Sequence, residues 1–163
     1  MHTFAVWLKG THVSWLITHY AWVWAASQVV HFFGMSLLFG CIALLDLRIL
    51  GIGISSPVSA VNQFVPWGIC GFIMNVITGS LFFLGQPLQY VDNPGFWLKM
   101  LFIFLAGGNV AIFYLTGIAE RVEVLEAGDE APLSAKVIAG SSLVLWVGVM
   151  FFGRMLPYFG SAF

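Results

Sequence analysis

Four stretches of this chain each match the roughly 20 apolar residues that a helix needs to cross a bilayer, and only short polar punctuation separates them. They run over 20–45, 64–84, 96–119 and 135–156. The first stops at Asp46-Leu47-Arg48, and the second is entered through Pro66, where a missing N–H costs least. The third follows the turn Asp92-Asn93-Pro94-Gly95 and ends at Glu120-Arg121, and the fourth has Pro157 just beyond its end. In hydrocarbon only helices and closed barrels satisfy the backbone, and the alternating strand pattern of a barrel is absent. The expectation is an all-α integral membrane four-helix bundle, up-down-up-down, forming one domain over 1–163. With 8% charged residues and a net charge of −1, the chain is excluded from ordinary soluble domains and carries no footprint for nucleic acid.

Residues 1–19, with Trp7, Lys9, His12, Trp15 and His19, read as an interfacial lead-in. A cleaved signal peptide fits less well, because the basic start is weak and no small-x-small site follows a short apolar core. Cys41 and Cys70 lie in apolar runs and read as small hydrophobes. Four spans put both termini on one side. Arg48, Arg121 and Lys136 fall on the other, and Lys99 and Arg154 are discounted as residues near helix ends that can snorkel. The basic loops are then cytoplasmic and the termini periplasmic. The stretch from Glu120 to Lys136 reads as a solvated loop.

The informative residues are polar ones at mid-membrane. The midpoints of the windows fall near residues 32, 74, 108 and 146, and His31, Asn75 and Asn109 lie at the first three. Residues this deep face a bundle interior or a cavity, because an unsatisfied polar group in hydrocarbon costs several kcal/mol. Around His31, Ser27, Gln28 and Gly34 share a helical stripe, while Gly71, Asn75 and Gly79 recur every fourth residue. Thr78 and Ser80 extend that polar content, and the later spans add Gly107, Gly108, Trp146 and Gly148 near the same depth. The expectation is one polar centre shared by His31, Asn75 and Asn109.

Each residue also has a plainer reading. Asn75 and Asn109 are ordinary interhelical glue, worth roughly 0.6–2 kcal/mol per hydrogen bond. Met35 and Met74 offer thioethers, although methionine in an apolar span usually fills space. Asp46 and Arg48 close a helix at the membrane edge, where an ion pair or headgroup contact is the default, and Lys99 and Arg154 read as edge residues. His31 stands apart, since a neutral imidazole within the bilayer leaves one ring nitrogen free to accept a hydrogen bond or ligate a metal. No nucleophile-base pair, phosphate loop, HExxH or paired carboxylates is present, so no hydrolytic site is expected.

His31-Phe-Phe-Gly34, Gly40 and Asp46-Leu-Arg48-Ile-Leu-Gly51 together resemble the first span of a family of small four-span bacterial inner-membrane proteins of unknown function. Pro66-Trp67, Thr78-Gly79 with Phe82, Asn93-Pro94-Gly95-Phe96 with Lys99, Asn109, Trp146, Gly153-Arg154 and Tyr158 extend the resemblance over nearly the whole chain. The family pattern has a glutamate three residues before the histidine, where this chain has Gln28, so a Glu-His proton relay is not implied here. The resemblance implies the architecture, a bacterial inner-membrane location and the importance of His31, but no reaction.

Three functional readings follow. In the first, a cofactor-binding, redox-associated protein ligates haem b or copper through His31, with Gln28, Gly34, Met74, Asn75 and Asn109 around it and the glycines leaving room for a macrocycle. In the second, an oligomeric channel or transporter passes a small polar solute along the same residues. In the third, a non-catalytic accessory subunit packs within a larger membrane complex. The bilayer is a partner in all three, together with a homo-oligomer or neighbouring subunits.

Overall fold

A computed structural model describes residues 2–159 and is helical throughout, without strands among them. Two short helices, α1 (His2–Lys9) and α2 (His12–His19), precede the long α3 (Ala21–Leu50). Then come α4 (Val58–Asn62), α5 (Val65–Gly85), α6 (Pro87–Val91), α7 (Pro94–Leu115), α8 (Ile118–Glu123) and α9 (Leu133–Phe159). Four of the helices, α3, α5, α7 and α9, are long and apolar enough to cross a membrane, and the chain is a multi-pass integral membrane protein.

The ends of these helices follow from local chemistry. α3 runs past Asp46 and Arg48 until Gly51 takes a left-handed conformation (φ 99°) that closes the helix, so the charged pair does not terminate it. α5 has Pro66 in its first turn, as expected. Asn93 caps α7 by accepting from the Gly95 N–H, and its amide also donates to the Leu156 carbonyl of α9. α7 ends earlier than hydropathy indicates, because Gly117 (φ 69°) turns the chain into α8. Pro157 lies inside the last turn of α9, which continues to Phe159, and not beyond its end.

Packing orders the spans. α3 packs antiparallel on α5 and on α9, and α7 packs antiparallel on α9, which gives the expected up-down-up-down course. These pairs close three sides of a four-helix arrangement. The fourth side, α5 against α7, is not packed along its length. Phe83, Tyr90 and Phe96 bridge it at the α6 end, and beside them an open apolar cleft of about 500 Å³ is lined mainly by Trp97, Met100, Leu101 and Phe104.

The α3–α5 crossing is close because glycine removes the obstructing atoms. A Cβ on Gly71 would stand 2.6 Å from the Gly34 carbonyl oxygen and 2.7 Å from the Leu38 nitrogen. On the other pair, the Phe102 ring lies directly on Gly148. The most buried apolar cluster lies at one end, where Val58, Ile118, Val122 and Ala131 from the connecting segments pack on Ile49, Ala135 and Ala139.

That end corrects two expectations. The 120–136 stretch is not a free solvated loop: Val122 is buried, the Val58 N–H bonds the Leu125 carbonyl and the Gly128 N–H bonds the Ile54 carbonyl. Asp46 and Arg48 also do not pair with each other. The Arg48 guanidinium, 2% exposed, donates to the carbonyls of Ser56, Glu126 and Asp129 and clamps two connecting segments together. Asp46 turns instead towards the buried Ser142 of α9, with Oδ2 free of any hydrogen bond from the described residues. Lys136–Glu130 is the one ion pair among the described residues.

At the other end α1 and α2 fold beneath the α5–α6 junction. Ile17 is buried against Gly85, Ser14 donates to the Gly85 carbonyl, and Trp7 and Trp15 face outward as an interfacial lead-in requires. His12 and His19 both pack on the Trp15 ring.

Candidate functional site

His31 lies on the inward stripe of α3, half-buried, between the buried Ser27 and Gly34. Its Nδ1 is 2.7 Å from the Thr78 hydroxyl of α5. The role of each atom follows from a proton count. Thr78 has one hydroxyl proton, and its oxygen also lies 2.7 Å from the Met74 carbonyl, a partner that can only accept. The proton therefore goes to Met74, and the Thr78 oxygen accepts from His31 Nδ1–H. A neutral His31 then presents an unprotonated Nε2, which bonds no described residue. Phe82 stands edge-on to the imidazole at 5.3 Å and in turn contacts Trp24, which fixes the ring from the other side.

The other expected residues divide into groups. Asn75 lies about a turn from Thr78 but donates to its own helix at the Gly71 carbonyl, and its buried Oδ1 has no partner among the described residues. Gly34 and Met74 belong to the helix crossing: a Cβ on Gly34 would stand 2.9 Å from Met74 Cβ. The space that these glycines free is filled by the opposing backbone, so it does not provide room for a macrocycle. Gln28 is exposed on the outer side of α3, away from the imidazole stripe.

Asn109 belongs to a different place. It donates to the Ile138 carbonyl and accepts from the Ser141 hydroxyl, both on α9. Ser142, the next residue, faces Asp46, which follows His31 by fifteen residues on α3, a rise of about 22 Å. His31 and Asn109 are therefore not at one depth. Equal distance from the middle of each apolar window did not mean equal height, because the α7–α9 pair is shifted along the bundle relative to α3–α5. The single expected centre is two: an imidazole site between α3 and α5, and a polar layer of Asn109, Ser141, Ser142, Asp46 and Arg48 towards the opposite end.

One contributor to the first site was read from the sequence only as added polar content. Thr78 is the partner that sets the imidazole tautomer, and its position, a turn beyond Asn75 and beside Gly79, was the available signal. Lys99, read as an edge residue, lies instead against α9. Its stem and ammonium lie over Gly153 of α9, with Nζ 3.7 Å from where a Cβ would stand. A cation five residues inside an apolar helix was the sign of it. Arg154, beside Gly153, is exposed.

No family model, curated protein or solved structure matches this chain.

Proposed function

We propose that the protein binds a haem-type macrocycle within the membrane, with His31 Nε2 as axial ligand to the iron, and takes part in electron transfer. The observation that carries this reading is the Nδ1–H···Thr78 bond, which orients the ring and leaves Nε2 as the free base. A ligating histidine is held this way by a second hydrogen bond that fixes its tautomer. His31 is only half-buried, so a macrocycle would approach it from the exposed edge of the α3–α5 pair and not through the filled crossing.

Haem is favoured over copper by the donor set. A protein-held copper centre draws on about three donor side chains, and no three His, Cys, Asp or Glu converge among the described residues. A porphyrin brings its own nitrogens and asks for one or two axial bases. The solute-path reading loses support with Gln28 on the outside and Asn109 far from His31. The resemblance to the small four-span family belongs to this proposal too, with a bacterial inner membrane, periplasmic termini and electron-transfer partners or a second copy beside the exposed spans.

The test is titration of the purified, detergent-solubilised protein with haem b, together with metal analysis. The reading predicts saturable binding with a shifted Soret band that His31→Ala abolishes while the variant stays monodisperse. A His31→Ala protein that binds as the parent does would overturn it.

A further inference from the structure

Charge is divided unevenly between the two ends of the bundle. Asp46, Glu120, Glu123, Glu126, Asp129 and Glu130 belong to one end. At the other, where α7 begins and α9 finishes, the described residues set the cations Lys9, Lys99 and Arg154 against a single acid, Asp92. Asp92 is exposed, and neither Lys99 nor Arg154 makes an ion pair or a hydrogen bond with a described residue. These two cations are neighbours. Lys99 lies five residues after the start of α7 and Arg154 five before the end of α9. The antiparallel pairing of those ends, fixed by the Asn93–Leu156 bond, sets both at similar depth, roughly 7 Å inside the helix ends. The Lys99 stem crosses onto α9 at Gly153, with Nζ 3.7 Å from where a Cβ would stand. Arg154 is the next residue, so its Cα lies within about 9 Å of that ammonium. Arg154 continues the exposed line of Val144, Val147, Phe151 and Tyr158, which recurs at three and four residues and is the face of α9 that acyl chains cover. Trp97 and Tyr158, also exposed at this end, are the aromatic residues expected at headgroup level.

We infer that Lys99 and Arg154 together hold the phosphate of one anionic phospholipid at this edge of the α7–α9 pair. A basic side chain on a spanning helix is costly unless it is paired or reaches the interface, and the described residues provide no anion for either cation. A guanidinium on the lipid-facing side of α9 meets a headgroup phosphate directly, and the Lys99 ammonium reaches the same level from the helix contact. Basic pockets between spanning helices bind anionic headgroups, and one phosphate accepts charge-assisted hydrogen bonds from both donors at once. This site is separate from His31 and does not depend on what the imidazole binds. The rival role for Lys99 is contact with α9 alone: Pro157 has no N–H to give the Gly153 carbonyl, which leaves that oxygen as a neighbouring acceptor.

The experiment titrates the delipidated full-length protein in a neutral detergent with phosphatidylglycerol and, separately, with phosphatidylcholine of identical acyl chains, and counts bound lipid by native mass spectrometry. The inference predicts that the first phosphatidylglycerol binds the parent at least about tenfold more tightly than the first phosphatidylcholine. Lys99→Met and Arg154→Gln should each cut that preference about fivefold, the double variant should abolish it, and Lys99→Arg should keep it. Equal affinity of the parent for the two lipids overturns the inference and leaves Lys99 with its contact on α9. A preference that survives in the double variant also overturns it, since the charge would then be read elsewhere. Displacement of phosphatidylglycerol by an equal concentration of inorganic phosphate assigns a free anion to the two cations and overturns the lipid. The ratio in the parent needs no variant, so a folding defect in Lys99→Met cannot mask the result.

Discussion

Gly71→Ala tests whether backbone contact between α3 and α5 sets the imidazole site. The new methyl would meet the Gly34 oxygen at 2.6 Å and the Leu38 nitrogen at 2.7 Å, and ordinary contact begins at 3.4 Å. Both obstacles are backbone, so no side chain can swing away, and the helices must part locally by about 0.8 Å. Overpacking of this kind costs about 1–3 kcal/mol, against which removing a helical glycine returns about 0.5–1 kcal/mol. The net expectation is a loss of about 0–2.5 kcal/mol, against a gain of about 0.5–1 kcal/mol where the added methyl meets nothing. The same separation, carried two turns along to Thr78, would stretch the 2.7 Å His31–Thr78 bond to about 3.5 Å, beyond useful hydrogen bonding. Gly40→Ala is the internal control, since nothing lies within 4 Å of a Cβ there. Thermal unfolding followed by tryptophan fluorescence in one detergent should rank Gly71→Ala below the parent and Gly40→Ala at or above it. Haem affinity should fall only for Gly71→Ala. If Gly71→Ala melts with Gly40→Ala, the close crossing is not what holds α3 to α5.

The remaining predictions address other parts of the molecule. Arg48→Met leaves the Ser56, Glu126 and Asp129 carbonyls without their donor, and hydrogen bonds from a charged group are worth about 1.5–3 kcal/mol each. Hydrogen exchange should speed up across 51–57 and 124–131, and unchanged exchange there would show that the clamp is idle. Asn109→Ala should cost about 0.6–2 kcal/mol of stability yet leave haem affinity unchanged, because it is a contact of α7 with α9 and distant from His31. A loss of binding in that variant would return Asn109 to the ligand site. Burial pushes the Tyr90 phenol above its usual value of 10.0. Its folded form holds the proton longer than the unfolded chain, so its contribution is complete below about pH 10 and is lost as pH rises through the folded value. Alkaline unfolding should therefore begin above pH 10 and shift upward in Tyr90→Phe, and identical alkaline limbs would rule this out.

The spans were legible because hydropathy is a property of composition along the chain and the bilayer admits few alternatives. Their exact ends depended on local devices, the left-handed Gly51 and Gly117 and the tolerated Pro157, which override the apolar count by a turn. His31 and its glycine-bearing partner helix could be read from spacing, since α3 and α5 pack along stripes that the sequence displays. Asn109 could not be placed, because the relative height of two helix pairs is set by tertiary packing such as Phe102 on Gly148 and Asn93 on Leu156. Nor could the fate of Arg48, whose acceptors are backbone carbonyls and leave no trace in side-chain identity. Gln28 shows the limit of a stripe argument: three residues before His31, it still falls on the outer side of a helix whose buried line runs through Ser27.

The account depends most on which imidazole nitrogen of His31 carries the proton. Two-bond ¹⁵N–¹H correlation spectra of histidine-labelled protein in detergent, with His31 assigned by its absence in His31→Ala, read that tautomer directly. A neutral His31 with a pyrrole-type Nδ1 and a pyridine-type Nε2, reverting to a mixture in Thr78→Val, is the predicted result. A neutral ring protonated at Nε2 would contradict it, since the nitrogen assigned to the iron would then be a donor with no lone pair to offer.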